Sequence, residues 1–268
     1  MIKKTTFTPI FLSIVITVCN IPALCAEASR EVLRYSCSDQ VLFAFERERL
    51  IAFSRTNDID IDLNVASSGS VADFVFKGLS DIASTNQALT RSQKESGGIE
   101  IPICMDAMTI ITNKDCPIDN LTSEQIRDIF SGKTLRWKQL GGSDQPIIIV
   151  APMMTTGAYK FFHQMIMKGQ KIKCDMVAYR SWMIIEMIKS NFPHAISFIT
   201  NGAFAQYHGI KTIHVDGLEP TNPNYPYFQT FYFVTKGEPR GPVKLFIDFA
   251  KSEKGRSIME KRGMIPIP

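Results

Sequence analysis

The sequence predicts an α/β protein with mainly parallel sheets flanked by helices. Three observations carry this expectation. Strand-like and helix-like patterns alternate along most of the 268 residues, the order expected of strand–helix–strand units. A content of 45% hydrophobic and 21% charged residues suits a folded chain and excludes a disordered or collagen-like one. The length suits two domains of roughly 100–150 residues, each able to bury its own core.

Each element follows from local pattern. Val32–Tyr35 reads as a short strand, and Val41–Phe53 has helical spacing through Leu42, Phe43, Phe45, Leu50, Ile51 and Phe53. Ile61–Ala66 alternates as a strand, Val71–Lys77 is a short helix ending near Gly78, and Ile82–Ala83 is a brief strand. Ile103–Thr112 is a longer apolar run that reads as a buried strand. Thr122 and Gln125 form a capping box for a helix through Ile126, Ile129 and Phe130, stopped at Gly132. Pro146–Val150 is a strand, Tyr159–Met167 and Trp182–Lys189 are helices, and Ala195–Ile199 and Phe228–Val234 are strands. Pro242–Lys251 and Glu253–Arg262 close the chain as helices. The Pro- and Asn-rich stretch Asp216–Tyr227 reads as a connection between lobes.

The N-terminus has the order of a cleavable secretory signal peptide. Lys3 and Lys4 are followed by an apolar stretch from Phe7 to Ile21, then by Ala23, Ala26 and Ala28. Cleavage is expected after Ala26 or Ala28. The stretch is short and interrupted for a membrane anchor. Losing residues 1–28 removes two lysines and one glutamate, so the net charge of +4 becomes +3. No concentrated Lys/Arg run is present, which argues against a nucleic-acid partner. Cys37, Cys104, Cys116 and Cys174 remain. An oxidising compartment permits two disulfides among them, and buried free thiols are equally compatible with their apolar neighbours. No CxxC pair and no Cys–His spacing suggests a metal. The Asp58, Asp60, Asp62 alternation lacks the glycine and terminal Glu of a calcium loop, so it reads as a solvated strand face.

Three strand-to-helix junctions carry small hydroxyl residues: Ser36–Gln40, including Ser38; Ser67–Ser70, including Ser68 and Gly69; and Thr155–Ala158, including Thr156 and Gly157. In open α/β sheets ligands gather at the carboxyl ends of strands, where helix N-termini present free N–H groups. Serine and threonine cap helices everywhere. Three junctions of one kind nevertheless point to a shared anion site.

These motifs, in this order, resemble the phosphate-binding proteins of ABC importers, of the two-lobed type II periplasmic binding fold. The resemblance runs over nearly the whole chain beyond the leader. Ser67-Ser68-Gly69-Ser70 with Gly78-Leu79-Ser80-Asp81-Ile82-Ala83 resembles the family's Gly-Ser-Gly loop and its Asp-Ile-Ala. Asp106–Asn113 resembles its crossover strand. Leu121–Phe130, Trp137 and Gly141–Ile147 resemble its central block, and Ala195–Phe198, Asp216-Gly217, Pro220-Thr221 and Tyr225-Pro226 its return segment. Phe246–Phe249 and Gly263–Pro266 resemble its tail.

The resemblance implies a signal peptide at 1–28, one lobe from 29–107 and 222–268, the other from 108–221, and a ligand cleft between them. It implies a periplasmic monomer that captures phosphate or a similar oxyanion and delivers it to an ABC permease of the inner membrane, with no cofactor and no metal. Matching assigns ligand contacts to Ser38, Gln40, Ser68, Gly69, Asp81, Thr156 and Gly157. Asp81 carries the sharpest expectation. A carboxylate beside an anion makes sense if the ligand has a proton to donate, as monohydrogen phosphate does and sulfate does not.

The departures fall on the charge. Pro152 stands where the family has an arginine, Ala158 where it has threonine, Asn86-Gln87 where it has Ser-Arg, and Asp39-Gln40 where small hydroxyls are commoner. Arg180, just before the Trp182 helix, is the candidate replacement cation, while Lys160 reads as a solvated helix residue. Catalysis is not expected: His163, His194, His208 and His214 lie in no nucleophile motif, and no Gly-x-Ser-x-Gly elbow occurs. The rival reading on the same fold is a divergent periplasmic sensor or interaction protein, binding another small ligand or none.

Overall fold

The computed structural model describes residues 30–67, 69–204 and 207–268. The leader, and Ser68 of the second hydroxyl junction, lie outside the described residues.

The first strand, β1 (Val32–Ser38), turns Leu33, Tyr35 and Cys37 fully inward. It is longer than the sequence pattern predicts, because Ser36–Ser38 pair with Asn64–Ala66 of β2 (Asp60–Ala66). Polar residues with ladder partners on a buried strand leave no apolar trace to read. Between these strands, α1 (Asp39–Val41), a π turn (Leu42–Glu46) and α2 (Arg47–Asn57) form one continuous helical stretch. It ends at Asp58 in the left-handed conformation. After β2 come α3 (Val71–Phe76), β3 (Ile82–Thr85) and α4 (Arg91–Glu95), the last held by a Thr90–Gln93 capping box.

The next strand, β4 (Gly98–Asn113), organises the molecule. Gly98–Ala107 pair antiparallel with β10 (Phe228–Lys236), and Met108–Thr112 pair antiparallel with β8 (Ala195–Thr200). The change of partner therefore falls between Ala107 and Met108. Between β4 and β8 lie β5 (Asn120–Leu121), α5 (Ser123–Ser131), β6 (Ile148–Pro152), α6 (Gly157–Phe161), β7 (Met176–Ala178) and α7 (Ser181–Glu186). The Thr122–Gln125 capping box of α5 and its left-handed Gly132 are both present. After β8 come α8 (Asn201–Phe204) and β9 (Ile210–Val215), and after β10 come α9 (Gly241–Lys251), α10 (Glu253–Glu260) and β11 (Ile265–Pro266).

The strand order is β2-β1-β3-β10-β4-β8-β6-β7, with β9 and β11 also on β4. The flanks are parallel, as expected: β2-β1-β3 on one side and β8-β6-β7 on the other. The centre is antiparallel, because β4 and β10 carry the chain across the molecule in opposite directions. The sheet is therefore mixed.

Two apolar clusters fill it. One packs Phe45, Phe53, Phe231, Phe233 and Phe246 under the first flank, and the other packs Phe130, Trp137, Phe162 and Phe198 under the second. Phe162 and Phe198 stack with centroids 3.7 Å apart. The first cluster also encloses an ion pair, Glu46–Arg49, with both side chains at 0% exposure. The Arg49 guanidinium lies over the rings of Phe45 and Phe233. All four cysteines of the described region are free thiols, Cys37 and Cys104 buried and Cys174 exposed. Burial pushes the thiols of Cys37 and Cys104 well up, which keeps them protonated and inert.

Candidate functional site

The C-terminal ends of β1, β2, β6 and β7 converge on one cleft with a cavity of about 370 Å³. Ser38, Asp39, Gln40 and Ser67 line it from the first flank. Pro152, Met153, Thr155, Thr156, Tyr179, Arg180 and Ser181 line it from the second. This is the place where an open α/β sheet presents helix N-termini.

The hydroxyls are arranged as caps. Ser38 Oγ accepts from the Val41 N–H at 3.3 Å, and Ser38 is 2% exposed. Thr156 Oγ1 accepts from the Tyr159 N–H at 3.2 Å and donates to the Met153 carbonyl at 2.7 Å. The Thr156 proton is thus spent within its own turn, whereas Ser38 retains one to donate. Gln40 is 5% exposed and lines the cleft, and neither carboxamide atom has a hydrogen-bond partner among the described residues. A buried carboxamide with both ends free is costly, and it belongs to a residue of the cleft wall.

Contacts across the cleft hold the two flanks together. Arg180 Nη1 donates to Asp39 Oδ1 at 3.3 Å, and the Ser181 N–H donates to Asp39 Oδ2 at 3.2 Å. Gly157, expected as a ligand contact, also sets how closely the flanks meet. A Cβ placed there would stand 2.0 Å from Asn86 Oδ1, so only glycine permits Asn86 of the opposite flank to approach α6. Asn86 is oriented by Gln229, its Nδ2 donating to Gln229 Oε1 at 2.7 Å. Lys160 reaches over as well, donating to Gln87 Oε1 at 3.3 Å.

The structure corrects the expectation for Asp81. It precedes β3, level with Arg34 in the middle of β1, about four residues or roughly 13 Å along the strand from Ser38. Its Oδ2 accepts the Arg34 N–H at 2.9 Å, and its carboxylate is clamped by the Arg34 guanidinium. It lies outside the cleft lining, in a shallow pocket with Thr235, Arg240 and Val243. The charge that the Asp-Ile-Ala match suggested for a ligand serves instead to anchor the start of a strand. Of the other expected residues, Ser38, Gln40, Thr156 and Arg180 line the cleft, and Gly157 sits at its edge. Gly69 lies beside the Lys160 ammonium, 3.0 Å from where its Cβ would be. Asn86 stood out in the sequence only as a departure from the family's Ser-Arg, Lys160 read there as a solvated helix residue, and nothing in the sequence pointed to Gln229, yet all three belong to this region.

A PBP superfamily domain model matches residues 26–254. The chain belongs to the PBP superfamily. The phosphate-binding protein PstS of Bacillus subtilis is 27% identical over 222 residues, covering 78% of this chain and 72% of that protein. PstS of Borreliella burgdorferi is 26% identical over 239 residues, covering 82% and 85% respectively. A putative phosphate ABC transporter substrate-binding protein of Clostridium perfringens, solved with bound phosphate, superposes with a TM-score of 0.79. It is 29% identical and covers 89% of this chain and 100% of that one. The fold is thus the type II form of this superfamily, which is one of binding proteins and not of enzymes. The regulatory domain of OxyR from Pseudomonas aeruginosa shares the fold alone, at 10% identity and a TM-score of 0.61. Among the described residues no helix is long and apolar enough to cross a membrane.

Proposed function

We propose that this superfamily member captures phosphate or a similar tetrahedral oxyanion in the periplasm and passes it to an ABC permease. One observation carries the reading: a cleft built from strand ends of both flanks, in a chain that is 29% identical to a protein solved with phosphate bound. Ser38, Gln40, Ser68, Gly69, Thr156, Gly157 and Arg180 are the residues we assign to the site, and Asp81 is withdrawn from it. The backbone amides at the strand ends, the Ser38 hydroxyl and the Gln40 carboxamide replace part of the ligand's water shell.

The lobes on this reading are 29–107 with 222–268, and 108–221. The change of β4 partner at Ala107–Met108 supports the first boundary. Hinged closure brings the second lobe onto the ligand. Residues 1–28 direct export, with cleavage after Ala26 or Ala28, and the mature protein acts as a monomer.

Titration calorimetry of the mature protein with phosphate, arsenate, sulfate and molybdate tests the reading. Saturable one-to-one binding of phosphate is expected. Absence of binding by every oxyanion overturns it and leaves the sensor or interaction protein, a reading that Pro152 and the Asp39-bound Arg180 favour. Reconstitution with the cognate permease separates transport from sensing.

A further inference from the structure

We propose that Lys160 supplies the positive charge of the oxyanion site, reaching from the second flank to the turn after β2 on the first. This rests on the oxyanion reading above. Lys160 stands one turn into α6, its N–H bonded to the carbonyl of the capping Thr156 at 3.1 Å. Its side chain crosses to the opposite flank, where Nζ donates to Gln87 Oε1 at 3.3 Å. The same ammonium lies 3.0 Å from the position of a Cβ on Gly69, so the absence of a side chain at Gly69 makes room for it. Ser67, two residues before, lines the cleft.

The charge inventory singles this lysine out. Arg180 is paired with Asp39 and adds no net charge to the cleft. Arg34 is paired with Asp81. Lys160 forms no ion pair among the described residues, and its one described hydrogen-bond partner is a neutral carboxamide. An ammonium has three donors, so at least two remain for an oxyanion. Gln87 adds to this, because its Nε2 is buried without a partner among the described residues while its Oε1 orients the lysine. Lys160 is outside the cleft lining itself and stands beside the turn after β2 that Ser67 carries into it; a flexible, strongly hydrated point charge there suits a ligand that enters with its own water and sheds it on closure. The cation therefore arrives from a helix, not from the strand end that Pro152 occupies.

The test is phosphate titration of the wild type, Lys160→Met and Lys160→Arg at several salt concentrations. Lys160→Met is expected to weaken phosphate binding by about tenfold or more, the scale of a charge-assisted hydrogen bond. Its affinity is expected to depend less on salt than that of the wild type. Lys160→Arg is expected to hold the affinity within about threefold. The side chain is exposed, so equal melting temperatures verify that folding is intact. Lys160→Met with wild-type affinity and wild-type salt dependence overturns this proposal alone. A wild type that binds no oxyanion overturns it together with the reading beneath it.

Discussion

Asp39 and Arg180 meet across the cleft, Oδ1 to Nη1 at 3.3 Å, while the other Asp39 oxygen takes the Ser181 N–H at 3.2 Å. One carboxylate thereby ties the end of β1 to the start of α7. The clasp closes the flanks by internal charge. Asp39→Asn keeps the shape but loses the ion pair, so the ligand-free protein is expected to open. Small-angle scattering without ligand should show a larger radius of gyration than the wild type. An unchanged radius would mean that the clasp does not hold the flanks.

Asp81 is bound to Arg34 and not to the cleft. Asp81→Asn should leave the ratio of phosphate to sulfate affinity unaltered. It should cost up to about 1 kcal/mol of stability, since the pair is partly exposed. Calorimetry and urea unfolding measure the two effects. A shift in selectivity with normal stability would return Asp81 to the ligand.

The Glu46–Arg49 pair is at 0% exposure on both sides. Glu46→Ala would strand a buried guanidinium among Phe45, Phe233 and Phe246. The expected loss is about 3–5 kcal/mol, read from denaturant midpoints. A loss below about 1 kcal/mol would show that Arg49 finds water or another partner.

Asp106 lies on β4 next to the change of partner and is fully buried. Burial pushes its carboxyl up to about 8, although hydrogen bonds from the Gly202 and Ala107 N–H groups oppose this. The folded chain then holds a proton that the unfolded chain releases near pH 4. Between about pH 4 and 8 this contribution to stability falls as pH rises, and above 8 it levels off. Asp106→Asn removes the contribution. Thermal melts at pH 5, 7 and 9 should show a shallower decline for the variant, and parallel curves would place the titration elsewhere.

Much of this architecture was legible because burial left a pattern. The apolar run of β4, the Thr122–Gln125 box and the parallel flanks follow from residues whose surroundings are set locally. The short strands β5, β7 and β11 escaped notice, since Asn120-Leu121 or Met176–Ala178 carry too few residues for a period. The cleft was legible at Ser38, Gln40, Thr156 and Arg180, which follow strands. Asp81 misled because a motif match says nothing of which end of a strand a side chain occupies. Lys160 and Asn86 depend on how far one flank approaches the other, a distance no local pattern encodes.

The sixteen-residue β4 contributes hydrogen bonds to both flanks. Cutting the chain between Ala107 and Met108 would leave each fragment with a raw sheet margin and half a seam. Because one strand is pinned on both sides, denaturation should be a single cooperative event, and movement of one flank against the other must bend the strands they share.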